Sequence, residues 1–248
     1  DRDHDPINTS SEKLAEIIRT THARGGKIII PSFALERAQE IVYALKMLEV
    51  DGAIPHMPVY VDSPMTVNIT DVFRRHSECF DGEMHRLIEK VGDPFTLNHI
   101  RYIRDVMESM HLNSLREPCI IISAAGMCEH GRILHHLKNN CEDPKNTILI
   151  VGFQAKNTLG RRIVEREREI KIFGVKYRLN AEVKIMNSFS AHAGRADLIE
   201  FGKRFKDSAQ NILLVHGEEK AIASLKSALA EEGVHQVSVQ QEAIPTEV

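Results

Sequence analysis

The sequence predicts an α/β fold, a mostly parallel sheet flanked by helices, and three observations carry that expectation. Four short runs, KIIIP at 27–31, PVYVD at 58–62, CIIIS at 119–123 and TILIVGF at 147–153, are apolar and β-branched at nearly every position. A strand buried on one face alternates, whereas one buried on both faces does not, and the second pattern belongs to a parallel sheet covered by helices. Stretches with apolar residues at helical spacing lie between the runs, so strand and helix alternate along the chain. With 248 residues, 42% of them hydrophobic, the chain can bury a full core as one large or two small domains.

The elements follow in order. Thr9-Ser10-Ser11-Glu12 reads as a capping box opening a helix to about Arg24, and Gly25-Gly26 ends it. After the 27–31 strand, Ser32 is expected to cap a helix with Phe33, Ile41, Leu45 and Leu48 on its apolar side. After the 58–62 strand, Ser63-Pro64 is a helix start, with Ser as N-cap and Pro at the first helical position; Val67, Val72 and Phe73 follow. From about Cys79 to Glu117 the chain is polar and helical in pattern, with no strand evident. The 119–123 strand leads into a small-residue loop and a helix from Ile133 to about Asn140. The 147–153 strand leads to a loop and a short charged helix. Residues 171–184 read as short strands with a turn at Gly174. The rest reads as a strand at Val183–Met186, an amphipathic helix carrying Leu198, Ile199, Phe201 and Phe205, and a strand at Ile212–Val215. A helix from about Glu218 to Glu231 and a strand at Gln236–Gln240 close the chain.

Composition narrows the function classes. A formal net charge of −3 gives no global field for nucleic acid, so any such site must be a local basic patch. Aromatic residues make up 5% and tryptophan is absent, which argues against a base-stacking sheet of the RRM or OB type. No apolar run reaches membrane-spanning length and no secretory signal opens the chain. Cys79, Cys119, Cys128 and Cys141 form no C-x-x-C pair and read as reduced thiols, so a cytoplasmic location is expected. The opening Asp-Arg-Asp-His-Asp-Pro, without an initiator methionine, reads as the start of a portion of something longer.

Two groups of residues carry chemistry. His192 sits in Ser-Phe-Ser-Ala-His-Ala-Gly after one strand, and His216 ends the next apolar run before Gly217. Strand ends are where α/β folds place their sites, and the strand–helix–strand order sends both imidazoles to one rim. Each alone reads more readily as a capping or core histidine, and the functional reading rests on the two occurring at matching strand ends. The second group is four strand-to-helix junctions: Ser32 with Arg37; Asp62-Ser63-Pro64; Ser123 to Gly126 with Arg132; and Gln154 through Thr158, Gly160, Arg161 and Arg162. Helix N-termini attract anions, so four of them along one sheet edge predict a phosphate-binding groove; ordinary helix capping is the plainer reading of each.

These residues also carry a resemblance. NSFSAHAG around His192 and LLVHGE around His216 resemble motifs B and C of the β-CASP metallo-β-lactamase nucleases. IIIPSFALERAQE, VYVDSPMTV, IIISAAGMCEHGRILHHL and ILIVGFQAKNTLGRRI resemble the β-CASP segment of bacterial and archaeal members. The resemblance covers nearly the whole chain. It implies a β-CASP domain over residues 1–186 and, over 187–248, the C-terminal part of a metallo-β-lactamase αββα fold. It implies a zinc-dependent ribonuclease acting on single-stranded RNA, with two zinc ions in the full-length parent. It makes His216 a zinc ligand and places His192 beside the scissile phosphate. The family's DNA-acting branch tends to carry valine where this chain has His216, which favours RNA. The His-x-His-x-Asp-His zinc motif and motif A belong upstream of residue 1, and neither Asp3-His4-Asp5 nor His135-His136 replaces them. The expectation is therefore an incomplete zinc site, no RNA hydrolysis by this chain alone, and an apolar sheet face in 187–248 that is exposed or covered in a homodimer. The alternatives are a catalytically inactive RNA-binding or scaffold protein of the same family and, more remotely, a hydrolase of another phosphodiester or of a thioester.

Overall fold

The computed structural model describes residues 7–189 and 193–239, with side chains from residue 10 onward. The described residues divide into two compact units, one ending at Phe189 and the other holding residues 193–239.

In the first unit the elements run α1 (Ile7–Ala23), β1 (Ile28–Pro31), α2 (Arg37–Val50), β2 (Val59–Asp62) and α3 (Pro64–Arg75). A 3-10 turn at Ser77–Cys79, α4 (Gly82–Val91), β3 (Ile100–Ile103), α5 (Val106–Leu112), β4 (Ile120–Ser123) and α6 (Arg132–Asn140) follow. Then come β5 (Thr147–Ile150), α7 (Leu159–Val164), β6 (Glu169–Ile172), β7 (Val175–Arg178) and β8 (Glu182–Ile185). Six strands form one parallel sheet in the order β3-β2-β4-β1-β5-β8. Parallel pairing needs a crossover between successive strands, and the intervening helices supply it on both faces. Alternation divides the core. Ile28, Ile30, Val59, Val61, Ile120 and Ile122 face α1 and α2, packing on Leu14, Ile18, Ile41 and Leu45. Ile29, Ile121, Ile148 and Ile150 face the other way, onto Leu112, Ile133, Leu137 and Ile163 of α5, α6 and α7. Both sides of each central strand are therefore apolar, as the unbroken isoleucine runs require.

Local signals explain most boundaries. Ser63 caps α3, its Oγ accepting from the Thr66 N–H at 3.2 Å, with Pro64 at the first position. α1 ends where Gly26 N–H donates to the Thr21 carbonyl and Gly25 N–H to that of His22, with Gly25 at φ 73°, a Schellman close. Phe173 and Gly174, both at positive φ, make the two-residue turn of the β6–β7 hairpin.

Three expectations need correcting. α1 begins at Ile7, ahead of Thr9-Ser10-Ser11-Glu12, so that stretch lies inside the first turns of the helix and does not cap it. α2 begins at Arg37 behind Glu36, so Ser32 is no cap and Phe33 stands in the preceding loop; the Ser32 hydroxyl donates to the Phe33 carbonyl at 3.0 Å. β3 lies in the stretch that shows no strand in sequence. It is the sheet's edge, half-buried, and an edge strand tolerates Arg101 on its open side, which breaks the apolar signature.

The second unit comprises α8 (Arg195–Arg204), β9 (Ile212–Leu214), α9 (Glu219–Glu231) and β10 (Val237–Val239), with β9 and β10 parallel. Leu229, Val234 and Val237 form its small core with Ile212, Leu214 and Leu225. Gly202 lets α8 approach α9; a Cβ there would lie 2.5 Å from Leu229 Cδ2. Packing through Gly202 leaves Leu198, Phe201 and Phe205 exposed, and Leu213 of β9 and Val215 just after it are exposed too.

The α1–β1 link provides a test of the close approach at Gly26, where a Cβ would lie 1.7 Å from the Lys145 carbonyl oxygen. That neighbour is backbone and cannot rotate away. Gly26→Ala is expected to destabilise the chain by about 2–3 kcal/mol, read as a lower urea midpoint at unchanged slope.

Candidate nucleic-acid interface

The sheet order places the four predicted junctions side by side. Asp62-Ser63, Ser123, Pro31-Ser32 and the Val151–Gln154 segment leave the carboxyl ends of β2, β4, β1 and β5, which are consecutive neighbours. Ligands of open α/β sheets bind outside this edge.

Its foundation is a buried carboxylate. Asp62 is fully buried at the end of β2. One oxygen accepts from Arg132 Nη1 at 2.7 Å; the other accepts from His136 Nε2 at 2.6 Å and Ser109 Oγ at 2.5 Å. Arg132 also donates to the Arg104 carbonyl at 2.8 Å, and the Ser123 hydroxyl to the Asp62 carbonyl at 2.9 Å. His136 Nδ1 lies 3.0 Å from Asn113 Oδ1. Burial acts to raise the Asp62 pKa, but the hydrogen bonds from His136, Ser109 and Arg132 outweigh it and hold the carboxyl below its ordinary value. Sequence reasoning misses this constellation, although a signal exists: Ile133, His136, Leu137 and Asn140 share one buried face of α6 at i, i+3, i+4 and i+7, and two of the four are polar. Polar groups on a buried stripe need partners, so His136 must find one across the core.

The predicted phosphate ligands have internal partners. Arg132 is turned onto Asp62. Arg37 is paired with Glu40, and Arg161 with Glu165 at 2.6 Å. Thr158 Oγ accepts from Arg161 N–H at 3.1 Å as the α7 cap, and Glu129 Oε1 accepts from Leu159 N–H at 2.6 Å, so a carboxylate of the chain already sits at that helix end. Gln154 is buried, its Nε2 donating to the carbonyls of Gly126 at 3.0 Å and Gly152 at 3.3 Å. Gly160 makes room for it; a Cβ there would meet Gln154 Oε1 at 1.6 Å. Gly126 makes room for Phe33, whose ring would lie 3.2 Å from an added Cβ. These serines and glycines thus shape the loops through contacts within the chain. Arg162 is exposed and has no ion pair among the described residues.

In the second unit His216 follows β9, exposed, at φ 60°. A non-glycine residue there pays conformational strain, which in α/β folds collects at functional turns. His192 lies outside the described residues. Among the described residues no three His, Cys, Asp or Glu side chains converge. Zinc takes four ligands, so His216 fits one donor position and not a site. Among the described residues no helix is long and apolar enough to cross a membrane.

Comparison with known proteins defines the class. Residues 38–163 match the model of the Beta-Casp domain, and residues 176–239 match that of the Zn-dependent metallo-hydrolase RNA specificity domain. The chain belongs to the β-CASP family. It is 34% identical over 233 residues to a ribonuclease of Thermus thermophilus, covering 94% of this chain and 53% of that protein. It is 31% identical over 229 residues to the transcription termination factor FttA of Methanosarcina mazei, covering 90% and 36%. To an RNase J-like protein of Methanocaldococcus jannaschii it is 33% identical over 210 residues, covering 85% and 47%. The chain thus spans about half the length of the first and about a third of the second.

The Asp62 cluster makes a sharp prediction. Asp62→Asn leaves Arg132 without its counter-charge and disrupts the hydrogen bonds to His136 and Ser109, and is expected to destabilise by about 3–5 kcal/mol near neutral pH. Because the folded carboxyl titrates below its unfolded value, its contribution is full above the ordinary carboxylate pKa. It is lost as pH falls toward the folded value. Urea titrations across pH should show the gap between wild type and Asp62→Asn constant above about pH 5 and narrowing below about pH 4.

Proposed function

We propose that this chain is the β-CASP and C-terminal portion of a zinc-dependent ribonuclease, and that it supplies the surface along which single-stranded RNA lies. The observation that supports this most directly is the match of residues 176–239 to an RNA specificity domain, joined to a β-CASP sheet whose open edge gathers four loops. The resemblance to a Thermus ribonuclease and to archaeal termination factors points the same way. On this reading residues 1–186 form the RNA-holding domain and 187–248 complete the metallo-hydrolase domain. His216, exposed on its strained turn, would be one zinc ligand, and His192 would act beside the scissile phosphate. Zinc, when bound, supplies Lewis-acid stabilisation of the phosphate and an activated water. The chain's own contribution is to grip the backbone without reading sequence, through exposed cations such as Arg162 and backbone N–H groups of the loops, as phosphate contacts do.

Fluorescence anisotropy with labelled single-stranded RNA across a salt series tests the grip. Each neutralised phosphate adds about −0.7 to the log–log salt slope. Arg162→Ala is expected to flatten the slope by about that amount, whereas Arg37→Ala, already neutralised by Glu40, changes it little. Absence of salt-dependent binding would refute the reading. In the protein that includes the remaining zinc ligands, His216→Ala should lower RNA cleavage roughly a hundredfold or more, the upper end of what loss of an outer-shell metal partner costs. Undiminished cleavage would remove His216 from the site.

A further inference from the structure

Two phenylalanine rings stand open on the edge where the backbone-gripping loops gather. Phe33 is 49% exposed in the β1–α2 loop and Phe153 is 60% exposed in the β5–α7 loop. They leave neighbouring strands, since β1 pairs directly with β5. Neighbouring strands are about 4.8 Å apart, so the two loops start from adjacent points on the edge. The Phe33 ring is seated against its neighbours, and the residue next to Phe153 is anchored. Phe33 rests on Gly126, where any Cβ would press on the ring atoms Cδ2 and Cε2 at 3.2 Å. Phe153 is followed by Gln154, which is buried and tied to the Gly126 carbonyl at 3.0 Å. The β4–α6 loop at Gly126 therefore braces both aromatic positions. Each ring is flanked by a polar residue, Ser32 before Phe33 and Gln154 after Phe153.

An exposed phenylalanine forgoes the free energy of burial, and two such rings carried on neighbouring, braced loops at one edge are available to a flat apolar partner. Building on the RNA-holding reading above, we propose that Phe33 and Phe153 are stacking platforms for bases of the single-stranded RNA whose backbone runs along the carboxyl edge of the sheet. Low aromatic content argues against an RRM-like sheet face, but it leaves room for two rings at loop tips. Stacking is tolerant of sequence because every base has a π-face, so it accords with a grip that reads no sequence.

The test uses this chain and two oligonucleotides of equal length and charge: single-stranded RNA carrying 2-aminopurine, and the same backbone with abasic residues. The RNA is expected to bind more tightly than the abasic strand and its 2-aminopurine fluorescence to be quenched. Phe33→Leu and Phe153→Leu keep apolar bulk and remove the ring; each should weaken RNA binding about tenfold, within the range for loss of one stacking ring, and relieve quenching. Abasic binding should not change, and Phe153→Trp, which keeps an aromatic ring, should keep the tight binding that Phe153→Leu loses. Both positions are exposed, so the variants should keep the parent's circular dichroism and melting profile. Equal affinity for the two strands, with the salt dependence intact, would overturn the stacking inference and leave the backbone reading standing. Binding to neither strand would refute the RNA-holding reading and the inference with it. Leucine variants that leave RNA affinity unchanged and instead alter sedimentation of the chain would show that the rings are a protein contact, and would also overturn the inference.

Discussion

The carboxylate of Asp62 is the constraint on which the sheet's carboxyl edge depends. A fully buried charge is tolerable only when paired and hydrogen-bonded, and the partners that satisfy it come from different parts of the chain. Ser109 belongs to α5, while Arg132 and His136 belong to α6. Arg132 in turn holds the backbone at Arg104, just after β3. Ser123, at the end of β4, donates to the Asp62 carbonyl. Three strand ends and two helices are thus tied to one residue. A hydrophobic residue of similar volume could fill the space with comparable stability, but it would have no direction and could not fix how the loops leave the sheet.

Above that tie the loops are shaped by close approach. Gly160 admits Gln154, Gly126 admits Phe33, and Gln154 spans to the Gly126 carbonyl. The glycines have a steric reason of their own. The serines and arginines of the same loops are largely engaged with the chain itself, and Glu129 occupies the end of α7 that would otherwise attract an external anion. A strand-to-helix junction is an anion site only where the chain has not already supplied the anion. Arg162 and the two phenylalanine rings, by contrast, stay exposed.

The second unit shows a similar division between local pattern and final environment. Leu198, Phe201 and Phe205 have the spacing of a helix that buries one face, and a helix forms there. Its contact with α9, however, is made through Gly202, because only a residue without a side chain lets the helices approach so closely. The phenylalanines are left on the outside, with Phe201 and Phe205 in ring contact at 5.0 Å between centroids.

By itself, the sequence determined the alternation of strands and helices, the parallel character of the sheet, the Ser63-Pro64 start of α3 and the glycine close of α1. All of these rest on periodicity or capping among residues a few positions apart. The edge strand β3 escaped because a strand open on one side needs no apolar run, and the start of α2 escaped because Ser32 spends its hydroxyl on the next carbonyl. Family membership was legible because whole motifs were. Only the tertiary structure decided that Arg132 turns inward, that His136 meets a carboxylate 74 positions earlier in the chain, and that the loops of Phe33 and Phe153 leave neighbouring strands. Those outcomes depend on which strands become neighbours. Strand order is set by the packing of both sheet faces at once, a long-range condition that no local stretch of sequence records.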